Sequence, residues 1–438
     1  MKLKENWSRT DRYRPYKEWS EEHLHSLEKK INSSHWRLGY HIQPVTGLLN
    51  DPNGFSYFDG KWQLFYQAYP MGSVHGLKSW YHLSSVNLID WKNDGLKLIP
   101  DNSFDSHGVY SGSALPIDNQ LFLAYTGNVR DSNWGRHSFQ LGAWMDKNGN
   151  ITKIPTPLIS SPPPGYTQEI RDPQLIAYDD GYLLIVGAQT EQKQGSILTY
   201  YSKDLKNWQF LGTLGFTEEE MGFMIECPNL LFVNGKALLV FCPQGLSHEI
   251  HSYSNIYPNT YVIGQTFDFE KNELSDPTHI KNIDEGFDIY ATHCFSDGNG
   301  RTLAISWIGL PEISYPTDEE GWAHCLSIVK ELTIEKEQLY QRPVKETAQL
   351  RKGKPYHFSG LETTIDAEIN QYELQLEFDY SQKGTILLFA DDQQKHGLTL
   401  SFDTIHGKMS MDRSHAGKSF AENFGTVREF SIEKKPLK

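Results

Sequence analysis

Residues 47–55 read GLLNDPNGF, and the centre, Asp51-Pro52-Asn53-Gly54, spells a β-turn. Pro52 presets its own φ, Asn53 tolerates left-handed geometry, and Gly54 relaxes the exit. Alone, the stretch says only that Asp51 begins a turn. Its weight comes from recurrence. An acid beside a proline, followed by an amide, returns at Asp172-Pro173-Gln174 and, with one residue inserted, at Glu226-Cys227-Pro228-Asn229. Two further landmarks are YSGSA at Ser111 and DIYA at Asp288. The five stand at positions 51, 111, 172, 226 and 288, a repeat of about sixty residues.

Around the landmarks run short apolar stretches such as KWQLFYQAY, QLFLAYTGN, GYLLIVGAQ, KALLVFCPQG and RTLAISWIG, broken by Gly, Pro, Asn and Asp. That is the pattern of an all-β chain. SSVNLIDW (84–91) and YSKDLKNW (201–208) also share Ser, Leu and Trp at one spacing. Five units of several short strands predict a five-bladed β-propeller over residues 40–345. A two-sheet sandwich is the alternative, but it gives no reason for so long a period.

A short helix is expected within an N-terminal extension, residues 1–39, where Ser20 caps and Leu24, Leu27 and Ile31 form an apolar stripe. After LYQRPVKETAQLRKGK (339–354) the pattern becomes cleaner alternation. YELQLEFDY (372–380), GTILLFA (384–390) and LTLSFDTIHGKMSMD (398–412) predict a C-terminal β-sandwich over 355–438. The sequence stops mid-pattern, so an incomplete sandwich is expected.

The 438 residues suggest two unequal domains, and a net charge of −14 argues against nucleic acid or an anionic membrane as partner. No apolar run approaches the ~18 residues of a membrane span, and the N-terminus has no signal-peptide pattern. Cys227, Cys242, Cys294 and Cys325 show no C-x-x-C spacing. No metal, cofactor or disulfide framework is called for, and a cytoplasmic location is expected. Nothing in the sequence argues against a homo-oligomer. Aromatic residues make up 13% of the chain, a content common in sugar-handling proteins and in β-rich cores alike.

In a propeller the first strand of each blade lines the central channel, so the three acids converge there. A proline also forces the residue before it into extended geometry and so fixes where it points. Three such carboxylates repel one another, which leaves one protonated beside ionised partners. A proton donor beside an ionised carboxylate is the equipment for breaking a glycosidic bond. Calcium would also accept such a ligand set. A non-catalytic sugar-binding propeller would have no use for three converging acids.

LLNDPNG, FYQ, YSGSA, RDP, ECPNL and DIYA, in this order, resemble glycoside hydrolase family 32, the invertases and β-fructosidases. The resemblance runs from about Tyr40 to the end of the chain. It implies a five-bladed propeller followed by a β-sandwich, and hydrolysis with retention. It implies Asp51 as nucleophile, Glu226 as acid/base, and Asp172 as the holder of the fructosyl hydroxyls. Leu48, Leu49, Asn50, Gln67, Tyr110, Ser111 and Arg171 match positions that line the family's fructose pocket. On this assignment Glu226 is the carboxyl expected to be protonated. Three residues depart from the family pattern: Ile170 replaces a Phe, His75 a Trp and His293 a Gln.

Within the family, HGLKSWYHLSS and FCPQGL resemble bacterial members that cleave phosphorylated sucrose. The expected reaction is hydrolysis of sucrose 6-phosphate to glucose 6-phosphate and fructose. Action on free sucrose or short fructo-oligosaccharides, and fructosyl transfer to a sugar, are the alternatives. A chain of net charge −14 must supply local cations to bind a phosphate. SVHGLKSW (73–80) and NVRDSNWGRH (128–137) nominate Lys78 and Arg136 at a channel rim, with His75, Arg130 and His137 as neighbouring surface.

Overall fold

The computed structural model describes residues 6–360, 364–366, 369–379 and 381–432. The chain divides into two compact units, Met1–Asp284 with Asp288–Val344, and Glu285–Phe287 with Lys345–Lys438. The protein is mostly strand with few helices, as the sequence predicts.

The first unit begins with a short turn of helix, α1 (Arg9–Arg12), and the expected helix α2 (Glu21–Asn32). Ser20 Oγ accepts the His23 N–H at 3.2 Å, the cap that its position predicts. Leu27 and Ile31 pack against Trp322, and Leu24 joins a second apolar cluster with Tyr69 and Met71.

Successive antiparallel sheets follow. The first holds β1 (Gly47–Phe58), β2 (Lys61–Tyr69), β3 (Ser79–Ser85) and β4 (Lys92–Leu98). The second holds β5 (Val109–Ile117), β6 (Gln120–Arg130), β7 (Arg136–Met145) and β8 (Ile151–Lys153). The third holds β9 (Tyr166–Tyr178), β10 (Gly181–Thr190), β11 (Gly195–Ser202) and β12 (Gln209–Thr213). In the fourth, β13 (Met224–Val233), β14 (Lys236–Gln244) and β15 (Thr260–Gly264) are joined by β18 (Lys281–Asn282), after a small pair of β16 (Phe267–Asp268) and β17 (Glu273–Leu274). The fifth holds β19 (Ile289–Ser296), β20 (Thr302–Ile308), β23 (Lys330–Glu335) and β24 (Gln338–Pro343). Between its strands lie β21 (Trp322–Ala323), which pairs in parallel with Gly47 and Leu48, and β22 (Cys325–Leu326), which pairs with β20.

The first strands contact one another in sequence order: β1 lies against β5, β5 against β9, β9 against β13, β13 against β19, and β19 against β1. The second strand of each sheet is apolar on both faces, and this fills the space between sheets. Leu121 and Leu123 of β6 enter the layer shared with the first sheet, while Phe122 and Ala124 enter the layer shared with the third. Leu239 and Leu238 of β14 divide likewise between the third-sheet and fifth-sheet layers. Near-continuous apolar runs are what strands covered on both faces require.

Each first strand carries an extra residue at or close to its landmark. The ladder slips between Leu49 and Pro52, Tyr110 and Gly112, Arg171 and Gln174, Glu226 and Asn229, and Tyr290 and His293. A bulge at a constant register re-aims side chains at a constant level.

Among its described residues the second unit contains one antiparallel sheet, β25 (Lys383–Leu388), β26 (Leu398–Asp403), β27 (Lys408–Asp412) and β28 (Val427–Ser431), matching the expected runs at 384–390 and 398–412. The expected strand at 372–380 extends beyond the described residues, and 372–379 form no continuous strand. Tyr372 and Leu374 stand exposed, and a strand needs a paired edge or a buried face to persist.

Candidate active site

Asp51 lies in the β1 bulge, and three side chains donate to its carboxylate. Asn50 Nδ2 reaches Oδ1 at 3.1 Å, while Gln67 Nε2 at 3.2 Å and Ser111 Oγ at 2.5 Å reach Oδ2. Gln67 also bonds Asn50 and Ser111, so the sequence-predicted neighbours form one network across β1, β2 and β5. Burial, then the charge of Glu226, raises the Asp51 pKa against the Ser111 and Asn50 bonds.

Asp172 occupies the β9 bulge at φ 65° and is buried. Its Oδ2 accepts the backbone N–H of Cys227 at 3.0 Å. Burial and the charge of Glu226 push it up to about 7, opposed by Arg171. The sequence expects the raised carboxyl at Glu226; the upward shifts that the structure gives are those of Asp51 and Asp172.

Glu226 is gripped from both sides. Arg171 Nε donates to Oε1 at 2.8 Å and the Tyr290 hydroxyl to Oε2 at 2.7 Å. Arg171 also donates to Glu169 Oε2 at 2.5 Å, and Arg136 Nη1 to the same oxygen at 2.7 Å. Arg171, Glu226 and Tyr290 are the residues just before the bulge in β9, β13 and β19, so one register level builds this chain of bonds.

The structure corrects one of the two phosphate placements. Lys78 is not at a rim. It is 4% exposed, and its Nζ donates to Asn50 Oδ1 at 2.5 Å. Burial pulls its pKa down to about 7, with Asp51 resisting. Arg136 belongs to the Glu169–Arg171 group, with its guanidinium 5.7 Å from the Tyr110 ring centre. The fifth landmark also shifts: the bulge in β19 falls at Ala291 (φ 47°), whereas Asp288 Oδ2 accepts the Tyr315 hydroxyl at 2.8 Å.

Leu48 and Leu49 are buried, Leu48 in the cluster with Tyr69, Met71 and Ala323. Among the departures, His293 is buried and its pKa falls to about 4 for that reason. His75 lies 6.1 Å from the Trp307 ring and 6.2 Å from His324. His75 Nε2 and Trp307 Nε1 are buried without a hydrogen-bond partner among the described residues. Sequence reasoning missed Tyr290, Glu169 and Trp307. The signal for Tyr290 is its place inside DIYA, two residues after the acid.

Residues 41–343 match the glycosyl hydrolases family 32 N-terminal domain. The chain is 48% identical over 427 residues to a sucrose-6-phosphate hydrolase of Pediococcus pentosaceus, covering 97% of this chain and 85% of that one. It is 49% identical over 426 residues to a sucrose-6-phosphate hydrolase of Streptococcus mutans, covering 97% and 88%. Its structure is similar to that of a sucrose-6-phosphate hydrolase from Lactobacillus gasseri, with TM-score 0.95 and 42% identity over 98% of this chain and 89% of that one. A family 32 β-fructofuranosidase of Bombyx mori aligns with TM-score 0.79 and 32% identity, over 94% and 85%.

Proposed function

The chain belongs to glycoside hydrolase family 32, and from that premise we propose that it hydrolyses sucrose 6-phosphate to glucose 6-phosphate and fructose with retention. The observation that carries this reading is a pair of differently held carboxyls. Asp51 sits under three neutral donors, Glu226 is gripped by Arg171 and Tyr290, and Asp51 feels the charge of Glu226.

In this reading Asp51 attacks the fructosyl anomeric carbon as the bond to the glucosyl oxygen breaks. That oxygen takes a proton from Glu226. Glu226 then removes a proton from water, the water attacks the same carbon, and Asp51 leaves. Asp172, held by the Cys227 N–H, takes the fructosyl hydroxyls and answers the positive character of the transition state. Asn50, Gln67, Tyr110, Ser111 and Arg171 complete the fructose side, with Leu48 and Leu49 packed behind it. Lys78 serves the Asp51 network in this reading, and Arg136 keeps its place toward the phosphate.

We read the five sheets as the blades of a propeller over 40–345, preceded by the extension 1–39, and residues 355–438 as a β-sandwich. The circle of contacts among first strands and the family match over 41–343 support the former. A phosphorylated sugar does not cross membranes unaided, which favours action in the cytoplasm. The test is kcat/KM on sucrose and on sucrose 6-phosphate. A clear preference for the phosphorylated sugar is expected, and equal values would reject this substrate in favour of a general β-fructosidase.

A further inference from the structure

The N-terminal segment does more than pad the first sheet. Leu77 N–H donates to Arg12 O at 2.7 Å and the Tyr69 hydroxyl to Asp11 O at 3.1 Å, which fixes the backbone around Tyr13. From there the Tyr13 ring meets Trp134 edge-on at 5.1 Å and lies 6.1 Å from His107. The Arg130 guanidinium lies 5.7 Å from the centre of the same Trp134 ring, and that of Arg136 lies 5.7 Å from the Tyr110 ring.

Charge is unbalanced at this spot. Glu169 is shared between Arg136 and Arg171, and Arg171 already serves Glu226. Arg130 donates to the Trp134 carbonyl at 3.2 Å and makes no ion pair among the described residues. Burial and the adjacent Arg171 lower the Arg136 pKa, the response of a crowded cation. The Nε–H groups of both Arg130 and Arg136 are buried and have no acceptor among the described residues. Among the described residues, Arg130, Arg136 and Arg171 thus stand against Glu169 and Glu226 alone, and that surplus of positive charge suits a dianion.

We propose that Tyr13, Arg130 and Arg136 form the seat for the phosphate on the glucosyl half of the substrate, so that the N-terminal segment is part of the specificity pocket. The proposal rests on the phosphorylated-sugar reading above. Geometry connects the two: Glu169 links Arg136 to Arg171, and Arg171 holds the acid that faces the glucosyl oxygen. A phosphate bound there would then strap the leaving group in place while Glu226 protonates it.

The test is binding of glucose 6-phosphate and of glucose to the whole chain by calorimetry, which needs no turnover. Arg130→Met is expected to weaken glucose 6-phosphate about 10- to 150-fold more than glucose, the loss of one charge-assisted contact. Tyr13→Phe should cost about 3- to 10-fold in the same comparison, the loss of one neutral donor. Arg130→Lys, which keeps charge but loses the fork, should recover part of the affinity. Equal effects on both sugars, or a wild type that binds them equally, would overturn the seat. Wild-type turnover that ignores the phosphate would instead reject the proposed substrate, while the binding comparison still decides the seat.

Discussion

Cys227 stands at the bulge position that Asp172 takes in the preceding sheet, and Glu226 stands one residue earlier, level with Arg171. The one-residue insertion in Glu226-Cys227-Pro228-Asn229 is therefore functional in consequence: it moves the third acid from the level of Asp172 to the level of the donors. The sequence displayed all three acids, and the family resemblance implied their roles. What it hid was the level, because bulge register is set by pairing with strands far along the chain. For the same reason Asp288 looked like a member of the set. Asp51→Asn is expected to abolish turnover with the fold intact, by circular dichroism and activity on sucrose 6-phosphate. Glu226→Gln should lower kcat most for poor leaving groups. Asp172 offers a stability test. Its unfolded carboxyl titrates at 3.8 and its folded one at about 7, so stability tied to it is whole below 3.8, falls as pH rises, and is gone above about 7. Asp172→Asn should therefore raise Tm over wild type at pH 8 and lose that advantage near pH 4. Asn accepts the left-handed φ of this position.

The amide that follows each proline acts at the scale of the strand. Asn53 Oδ1 accepts the Gly112 N–H at 2.9 Å, Gln174 Oε1 the Leu230 N–H at 2.6 Å, and Asn229 Oδ1 the Cys294 N–H at 3.0 Å. In the second sheet Ser113 Oγ does the same for Leu175 N–H at 2.8 Å. The bulge opens each ladder, and these side chains tie one first strand to the next through the backbone group left free. In sequence, Asn53 read as a turn former, which is what its local neighbours suggest. Its partner lies 59 residues away, and no local pattern announces such a bond. Gln174→Ala leaves the Leu230 N–H buried and unpaired, so unfolding free energy should fall by about 1–3 kcal/mol. Asn229→Ala should cost more, since its Nδ2 also holds the carbonyls of Cys227 and Thr292. Urea midpoints at constant slope would measure both.

Across the whole first unit, all-β content and the sixty-residue rhythm were legible because every sheet buries both faces and repeats one strand plan. The placement of the N-terminal segment was not, since Tyr13 and Arg130 share no motif and are brought to Trp134 only in three dimensions. Nor was the short pairing of Trp322–Ala323 with Gly47–Leu48, which is too brief to leave a periodic trace. Trp322 gathers several contacts there: Leu27 and Ile31 pack on it, its Nε1 donates to Ser34 Oγ at 3.1 Å, and the Arg37 guanidinium lies 4.9 Å above its ring. Trp322→Ala should lower stability by about 3–5 kcal/mol and speed proteolysis before residue 40, read by thermal melting and timed digestion. That pairing also imposes a clock on synthesis. Residues 47 and 322 are 275 positions apart, so at ribosomal speeds of about 5–20 residues per second β1 waits roughly 15–55 s for its last neighbour. Through that interval the nascent protein carries an open strand edge at Gly47–Leu48, the state in which it is most exposed to joining the wrong chain.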